Sequence, residues 1–148
     1  MTTEIDLGDR KIIGWALSTT IKANDTAIPA FKMAQSRRPV TQQLIFHSDR
    51  GVQYACNEFR CFLEKNLLII RSMSRKGNCW DNAVAESFFK LLKTEYVYQY
   101  KFTDKDQAAR IVFEYIETWY NRKRLHSALG YLSPGEFGRN LNKQNIAA

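Results

Sequence analysis

Cysteine and histidine are scarce in this chain. Cys56, Cys61 and Cys79 are odd in number and form no C-x-x-C pair, and only His47 and His126 are available to join them. That is too few ligands, too badly spaced, for a structural zinc site, so the thiols read as reduced and packed. Long apolar runs are missing too, which excludes a helix that crosses a bilayer. The opening "MTTEIDLGDRK" lacks the basic-then-apolar layout of a secretion signal. The chain is therefore expected in the cytoplasm, with no membrane partner. Acid is in short supply: 15 Asp and Glu stand against 22 Lys and Arg, for a net charge of +7. The excess is spread evenly, +3 over residues 1–74 and +4 over residues 75–148, so it belongs to a folded surface rather than a tail. A basic surface permits a polyanion partner without proving one. Internal repeats and low-complexity segments are absent.

What is present is alternation. "TTEIDL" (2–7) and "KIIGWALS" (11–18) are β-rich runs separated by Gly8, Asp9 and Arg10, which predicts a hairpin. Asn24 or Asp25 can cap a helix through about Arg37, where Pro29 must sit in the first turn or kink it, and Pro39 ends it. "QLIFHS" (43–48) and "LLIIRS" (67–72) are short apolar runs, expected as buried strands. Between them "NEFRCFLEKN" places Phe59, Phe62 and Leu63 at helical spacing. Strand, helix, strand predicts a crossover unit with the two strands as parallel neighbours. Thr103 and Asp106 form a capping-box pattern before a long helix ending near Arg122, whose Ala108, Val112, Ile116 and Trp119 should share a buried face. "SPGEF" opens a last short turn of helix. The whole reads as a mixed α/β domain.

Two carboxylates stand out. "SMSRKGNCWDNAVAESFFK" (72–90) begins as a basic loop and ends as an apolar helix with Glu86 inside it. At 100° per residue, Ala85, Phe88, Phe89, Leu92 and Tyr96 share an apolar arc, and Asn82, Glu86, Lys90 and Lys93 form a polar stripe beside it. The plain reading of that stripe is a solvated face with Glu86–Lys90 pairing. Asp49 follows the strand "LIFHS" and precedes Arg50 and Gly51. It is either an ordinary turn aspartate or a member of a site, because carboxyl ends of strands in open α/β sheets are where ligands gather. Together such carboxylates suit Mg²⁺, a hard cation that takes oxygen ligands. Two ions about 4 Å apart can serve both the attacking and the leaving oxygen at a phosphate, though bridging them normally takes more than two carboxylates.

"HSDRGVQYACNEF", "SMSRKGNCWDNAVAESFFKLLKTE", "YNRKRLHSALGYLSPGEF" and the opening "IDLGDRKIIGWALS" resemble the catalytic core of bacterial insertion-sequence transposases related to retroviral integrases. The resemblance covers nearly the whole chain. It implies a ribonuclease H-like mixed sheet flanked by helices, with residues 1–126 as the core and residues 127–148 as its C-terminal tail. It implies an Asp-Asp-Glu metal site using Mg²⁺ or Mn²⁺, and DNA cleavage and joining at transposon ends and target. A homo-oligomer in the complete protein and association with the bacterial nucleoid are implied as well. The family's second aspartate falls on Asp49 and its glutamate on Glu86, as catalytic residues and metal ligands. Arg75, Lys76, Asn82, Lys90 and Lys93 fall on positions that face DNA or cover the site.

The chain departs from the family pattern twice. The family's first aspartate lies on an opening strand in a "D-x-T" context, upstream of the stretch matched by "TTEIDL", so Asp6 is not that residue. The expected sheet thus lacks its first, central strand, and with it two ions, a third ligand and activity of the chain alone. Residues 50–85 separate Asp49 from Glu86, about one residue more than is common, which a turn near Lys65–Leu68 can absorb. Two other functions stay open: a non-catalytic DNA- or transposase-binding fragment that interferes with transposition, and an RNase H-like nuclease in which Asp6 or Glu4 replaces the missing acid. Three consecutive basic residues in "YNRKRLH" (120–126) are either a solvated helix end or a phosphate contact. Trp80 either stacks on a splayed base or packs under the loop. His47 reads as a satisfied histidine at a strand end, and the role of His126 is open.

Overall fold

Gly14 lets the opening hairpin lie directly on a helix. A Cβ there would fall 2.1 Å from the Ala30 carbonyl oxygen and 2.9 Å from the Ala34 nitrogen, an approach that only glycine allows. The computed structural model describes residues 1–75 and 79–146. β1 (Thr2–Ile5) pairs with β2 (Ile12–Ala16). Asp6 and Asp9 fold the connection, accepting from the Gly8 and Lys11 backbone N–H groups. α1 (Ala27–Arg37) holds Pro29 in its first turn as expected, where a missing N–H costs nothing. Its start differs from the sequence reading. Asn24 and Asp25 belong to a short 3₁₀ turn, and Thr26 occupies the cap position with its hydroxyl donating back to the Lys22 carbonyl.

β3 (Leu44–Ser48), α2 (Val52–Ala55), α3 (Asn57–Glu64) and β4 (Ile69–Met73) follow. β3 and β4 pair in parallel, with Ile45 opposite Ile70 and His47 opposite Ser72, as the strand–helix–strand pattern predicts. The expectation that both strands are buried fails. Phe46 and Ser48 are buried, but Ile45 is 66 % exposed and Ile70 43 % exposed, and Leu67 lies wholly in solvent. The reason is topological. β1–β2 and β3–β4 are two separate two-stranded pairs, not one sheet. A parallel pair normally sits inside a larger sheet with both faces covered, and here only one face is packed. That face joins a core of Ala23, Ala27, Ile28, Phe31, Phe46, Phe59 and Leu63. Phe31 and Phe59 meet the Phe46 ring edge-on, each with centroids 5.3 Å away.

α4 (Ala83–Glu95), α5 (Lys105–Glu114) and α6 (Pro134–Ile146) complete the chain. Asp104, not Thr103, caps α5: its carboxylate accepts the Gln107 N–H at 2.7 Å, and Gln107 reaches back to the Thr103 N–H. α5 then runs into a π-helical turn, Tyr115–Tyr120. That turn corrects the predicted face. The wider winding advances the register, so Tyr115, Ile116 and Tyr120 are buried while Trp119 is 41 % exposed. α6 is a full helix rather than a short turn. Ser133 and Glu136 open it reciprocally, with the Glu136 carboxylate accepting from the Ser133 N–H and hydroxyl.

The chain forms two compact units, Met1–Glu4 with Ile13–Glu86, and Ile5–Ile12 with Ser87–Ala148. The second is centred on an aromatic cluster in which Phe88 meets Tyr120 edge-on at 5.0 Å and Tyr96 meets Tyr115 at 4.8 Å. Asn121 ties its two segments together. Its buried amide accepts the Ile12 N–H and donates to the Ile12 carbonyl, both at 2.9 Å.

Candidate functional site

The polar cluster of the first unit gathers where β3 and β4 end. Asp49 directly follows β3 and is exposed. One of its oxygens accepts the Gly51 N–H at 2.8 Å. A Cβ on Gly51 would lie 2.9 Å from that same oxygen, so the glycine of "DRG" is what lets the carboxylate fold over its own turn. The plain reading of Asp49 as a turn aspartate is thus correct for one oxygen. The other takes no hydrogen bond from the described residues.

His47 spans the two strands just below this turn. Its Nδ1 lies 3.0 Å from the Ser72 hydroxyl and its Nε2 3.1 Å from the Ser74 hydroxyl. It is the satisfied strand-end histidine that the sequence suggests. Ser74 in turn donates its N–H to the Ser48 carbonyl at 2.8 Å, and Arg50 Nε donates to the Ser74 carbonyl at 3.0 Å. Both neighbours of Asp49 are therefore bound to the segment that leaves β4. Beyond it, Arg75 donates its N–H and its Nε to one oxygen of Asp81. These bonds hold the Asp81 carboxyl below the usual range. Arg75 is thereby partly neutralised by Asp81, although a pair this exposed contributes little to stability.

α4 presents the remaining candidates as its periodicity predicts. Phe88 and Leu92 are buried and anchor it, while Glu86, Lys90 and Lys93 are exposed. Its far end is clamped by Glu95, which accepts from the Tyr115 hydroxyl at 2.9 Å and from the Trp119 indole at 3.3 Å. Asn82 sits in the 3₁₀ turn before the helix. Lys76 lies outside the described residues, as do the side chains of Cys79 and Trp80. Glu86 belongs to the same compact unit as Asp49, and Lys90 and Lys93 belong to the other.

The donor chemistry of Asp49 and Glu86 suits a hard divalent cation, since both are exposed carboxylates. They make an incomplete set. Among the described residues, no three His, Cys, Asp or Glu side chains gather to hold a metal ion.

Glu4 was less legible. It alternates with Thr3 on β1, and its carboxyl is buried with Oε1 unpartnered. Desolvation pushes it up to about 8, so it is largely protonated at neutral pH. Both Glu4 and Asp49 act electrostatically on Tyr54, whose hydroxyl is raised mainly by burial. Nothing in "TTEIDL" distinguishes this buried glutamate from an ordinary outward-facing strand residue. The serine partners of His47 were readable in principle, from the β3–β4 register alone.

Comparison with known proteins covers most of the chain. An integrase core domain matches residues 86–141, beginning at Glu86 itself. A 31 kDa protein of insertion element IS600 from Shigella sonnei is 43 % identical over 127 residues, 86 % of this chain and 46 % of its own length. The transposase for IS904 of Lactococcus lactis is 39 % identical over 137 residues, 93 % of this chain and 53 % of its own. The InsF transposase for IS3A of Escherichia coli is 43 % identical over 133 residues, 90 % of this chain and 46 % of its own. The chain spans about half the length of these relatives.

Proposed function

We propose that the chain is the catalytic-core portion of an insertion-sequence transposase, a DNA strand transferase with an integrase core. The observation that carries this reading is 39–43 % identity with insertion-sequence transposases across 90–93 % of the chain. On this reading residues 1–126 are the core and residues 127–148 its tail. Asp49 and Glu86 are the acids that hold Mg²⁺ or Mn²⁺. Metal ions held there would supply activation of an attacking oxygen and stabilisation of a leaving one at a DNA phosphate.

The chain's own residues do the positioning. Gly51 fixes the Asp49 turn, and His47 and Arg50 bind the flanks of that turn to Ser72 and Ser74. α4, anchored by Phe88 and Leu92, presents Glu86. Arg75, Lys76, Asn82, Lys90 and Lys93 contact the DNA backbone, and the working transposase is a homo-oligomer. The sheet is ribonuclease H-like, with a further strand joining the two pairs and bringing the third acid. The unjoined pairs and the exposed face of Ile45 and Ile70 support that strand.

The test is made in a full-length transposase carrying this core. Asp49→Asn and Glu86→Gln keep shape but remove the charge that binds Mg²⁺. Each should abolish strand cleavage while leaving binding to insertion-end DNA within a fewfold of normal. Cleavage retained in either variant would mean that other carboxylates do the work.

A further inference from the structure

A single peptide group joins the Asp49 turn to the approach to α4. Asp49 lies between two residues that bind the same neighbour. The Ser48 carbonyl accepts the Ser74 N–H at 2.8 Å, and Arg50 Nε donates to the Ser74 carbonyl at 3.0 Å. The Ser74 hydroxyl adds a second donation to the Ser48 carbonyl, at 3.3 Å. Ser74 is buried, so this side of the turn has little freedom. The Ser74 carbonyl and the Arg75 N–H belong to one planar peptide, and they point in opposite directions from a rigid plate. The N–H donates to Asp81 at 3.1 Å, and Arg75 Nε reaches the same oxygen at 3.5 Å. Asp81 lies in the 3₁₀ turn Cys79–Asn82, which leads into α4, the helix that bears Glu86. All of these residues belong to the first compact unit.

The plate thus has a guanidinium on its oxygen and a carboxylate on its hydrogen. Both charges polarise the peptide in the same sense, so each bond strengthens the other. The Asp81 carboxyl is lowered first by the Arg75 N–H, in keeping with this. The plain alternative is a loop closed by an exposed ion pair that contributes little to stability. It leaves unexplained why the two charged residues on the plate come from the two segments that carry Asp49 and Glu86. We propose that Arg50 and Asp81 are positioning residues: through the Ser74–Arg75 peptide they lock the Asp49 turn to the start of α4, and so hold Asp49 and Glu86 in the arrangement that receives a divalent cation. This rests on the proposed function for its cation, and it gives Arg50 and Asp81 a role apart from any contact with DNA.

The experiment uses the whole chain with Mn²⁺ as the probe. Paramagnetic broadening of backbone amides follows binding at Asp49 and Glu86, and hydrogen exchange in the metal-free chain follows the link itself. Arg50→Gln should speed exchange of the Arg75 amide, on the far side of the peptide from Arg50. Asp81→Asn should shift the Nε–Hε signal of Arg50. Each variant should raise the Mn²⁺ midpoint about tenfold, as loss of a residue that orients a metal ligand does. Charge alone predicts otherwise: removing the Arg50 cation should favour Mn²⁺, and removing the Asp81 anion should disfavour it. The double variant should bind no worse than the weaker single one, because a link broken at one joint is already broken. Thermal stability should stay near wild type in both single variants, which separates positioning from folding. If the Arg75 amide and the Arg50 signal do not respond, the link is overturned. If Mn²⁺ broadens both carboxylate neighbourhoods in wild type but binds equally or more tightly in Arg50→Gln, the positioning role fails while the cation reading stands. If Mn²⁺ broadens neither neighbourhood in wild type, the cation reading fails and the positioning role falls with it, whatever the exchange rates show.

Discussion

Glu4 should make the protein less stable as the solution becomes mildly alkaline. Its carboxyl is buried, unpartnered and raised to about 8 from an ordinary 4.5. Between those values the folded chain holds a proton that the unfolded chain has released. Stability therefore falls with rising pH across the window, at up to about 1.4 kcal/mol per unit. His126 works in the opposite sense. Lowered to about 4, it must lose a proton to fold below its unfolded value of roughly 6.5, so its contribution rises with pH from 4 to 6.5 and is then complete. The two nearly cancel below pH 6.5 and leave Glu4 alone above it. From pH 6.5 to 8 the loss should amount to roughly 1.5 kcal/mol, a few degrees in Tm. Urea unfolding at half-unit pH steps measures it, with Glu4→Gln as the comparison. The glutamine has nearly the same shape and no proton to release, so its stability should be flat over that window and higher than wild type at pH 8. Parallel curves for the two proteins would refute the reasoning, because the slope would then come from another group.

Gly14→Ala should destabilise by about 1–3 kcal/mol, since its methyl meets the Ala30 and Ala34 backbone rather than a side chain that can move; a thermal melt within a degree of wild type would contradict this. Asn121→Ala leaves the Ile12 N–H and carbonyl unpaired in a buried position and should cost about 2–4 kcal/mol, read by chemical denaturation. Gly51→Ala should disturb the Asp49 turn, detected as faster exchange of the Gly51-position amide with little change in global stability. A version extended upstream by a strand bearing the "D-x-T" aspartate should join the two sheet pairs, protecting amides of β1 and β3 from hydrogen exchange. Unchanged protection would count against a shared sheet.

The alternation of strands and helices was legible because its signals are local: β-rich runs, helical spacing of Phe59 and Leu63, and proline in a permitted first turn. The parallel pairing of β3 and β4 followed from the short helix between them. Burial of those strands was not legible. An apolar run does not say whether both faces of a strand find neighbours, and so Ile45 and Ile70 read as core while standing in solvent. Trp119 was misplaced for a different reason. A 3.6-residue repeat cannot foresee a π turn, and one wide turn rotates everything after it. At the site, "DRG" announced the Asp49 turn and the stripe on α4 announced Glu86. Arg124 stood out in the basic run of "YNRKRLH", but the closure of the second unit, in which Asn121 bonds the Ile12 backbone, was not legible because 109 positions separate the two residues.

That closure sets an order of events during synthesis. The turn before β2 is made first, yet Ile12 finds its partner only when Asn121 emerges, 109 residues later. At a translation rate of 5–20 residues per second the wait is roughly 5–20 s. Through that interval the Ile12 N–H and carbonyl can bond only to water or to whatever strand is nearby, and a bare strand edge invites the wrong neighbour. A nascent chain interrupted before residue 121 would keep that edge open, and cellular proteases should clear such products faster than those stopped a few residues beyond it.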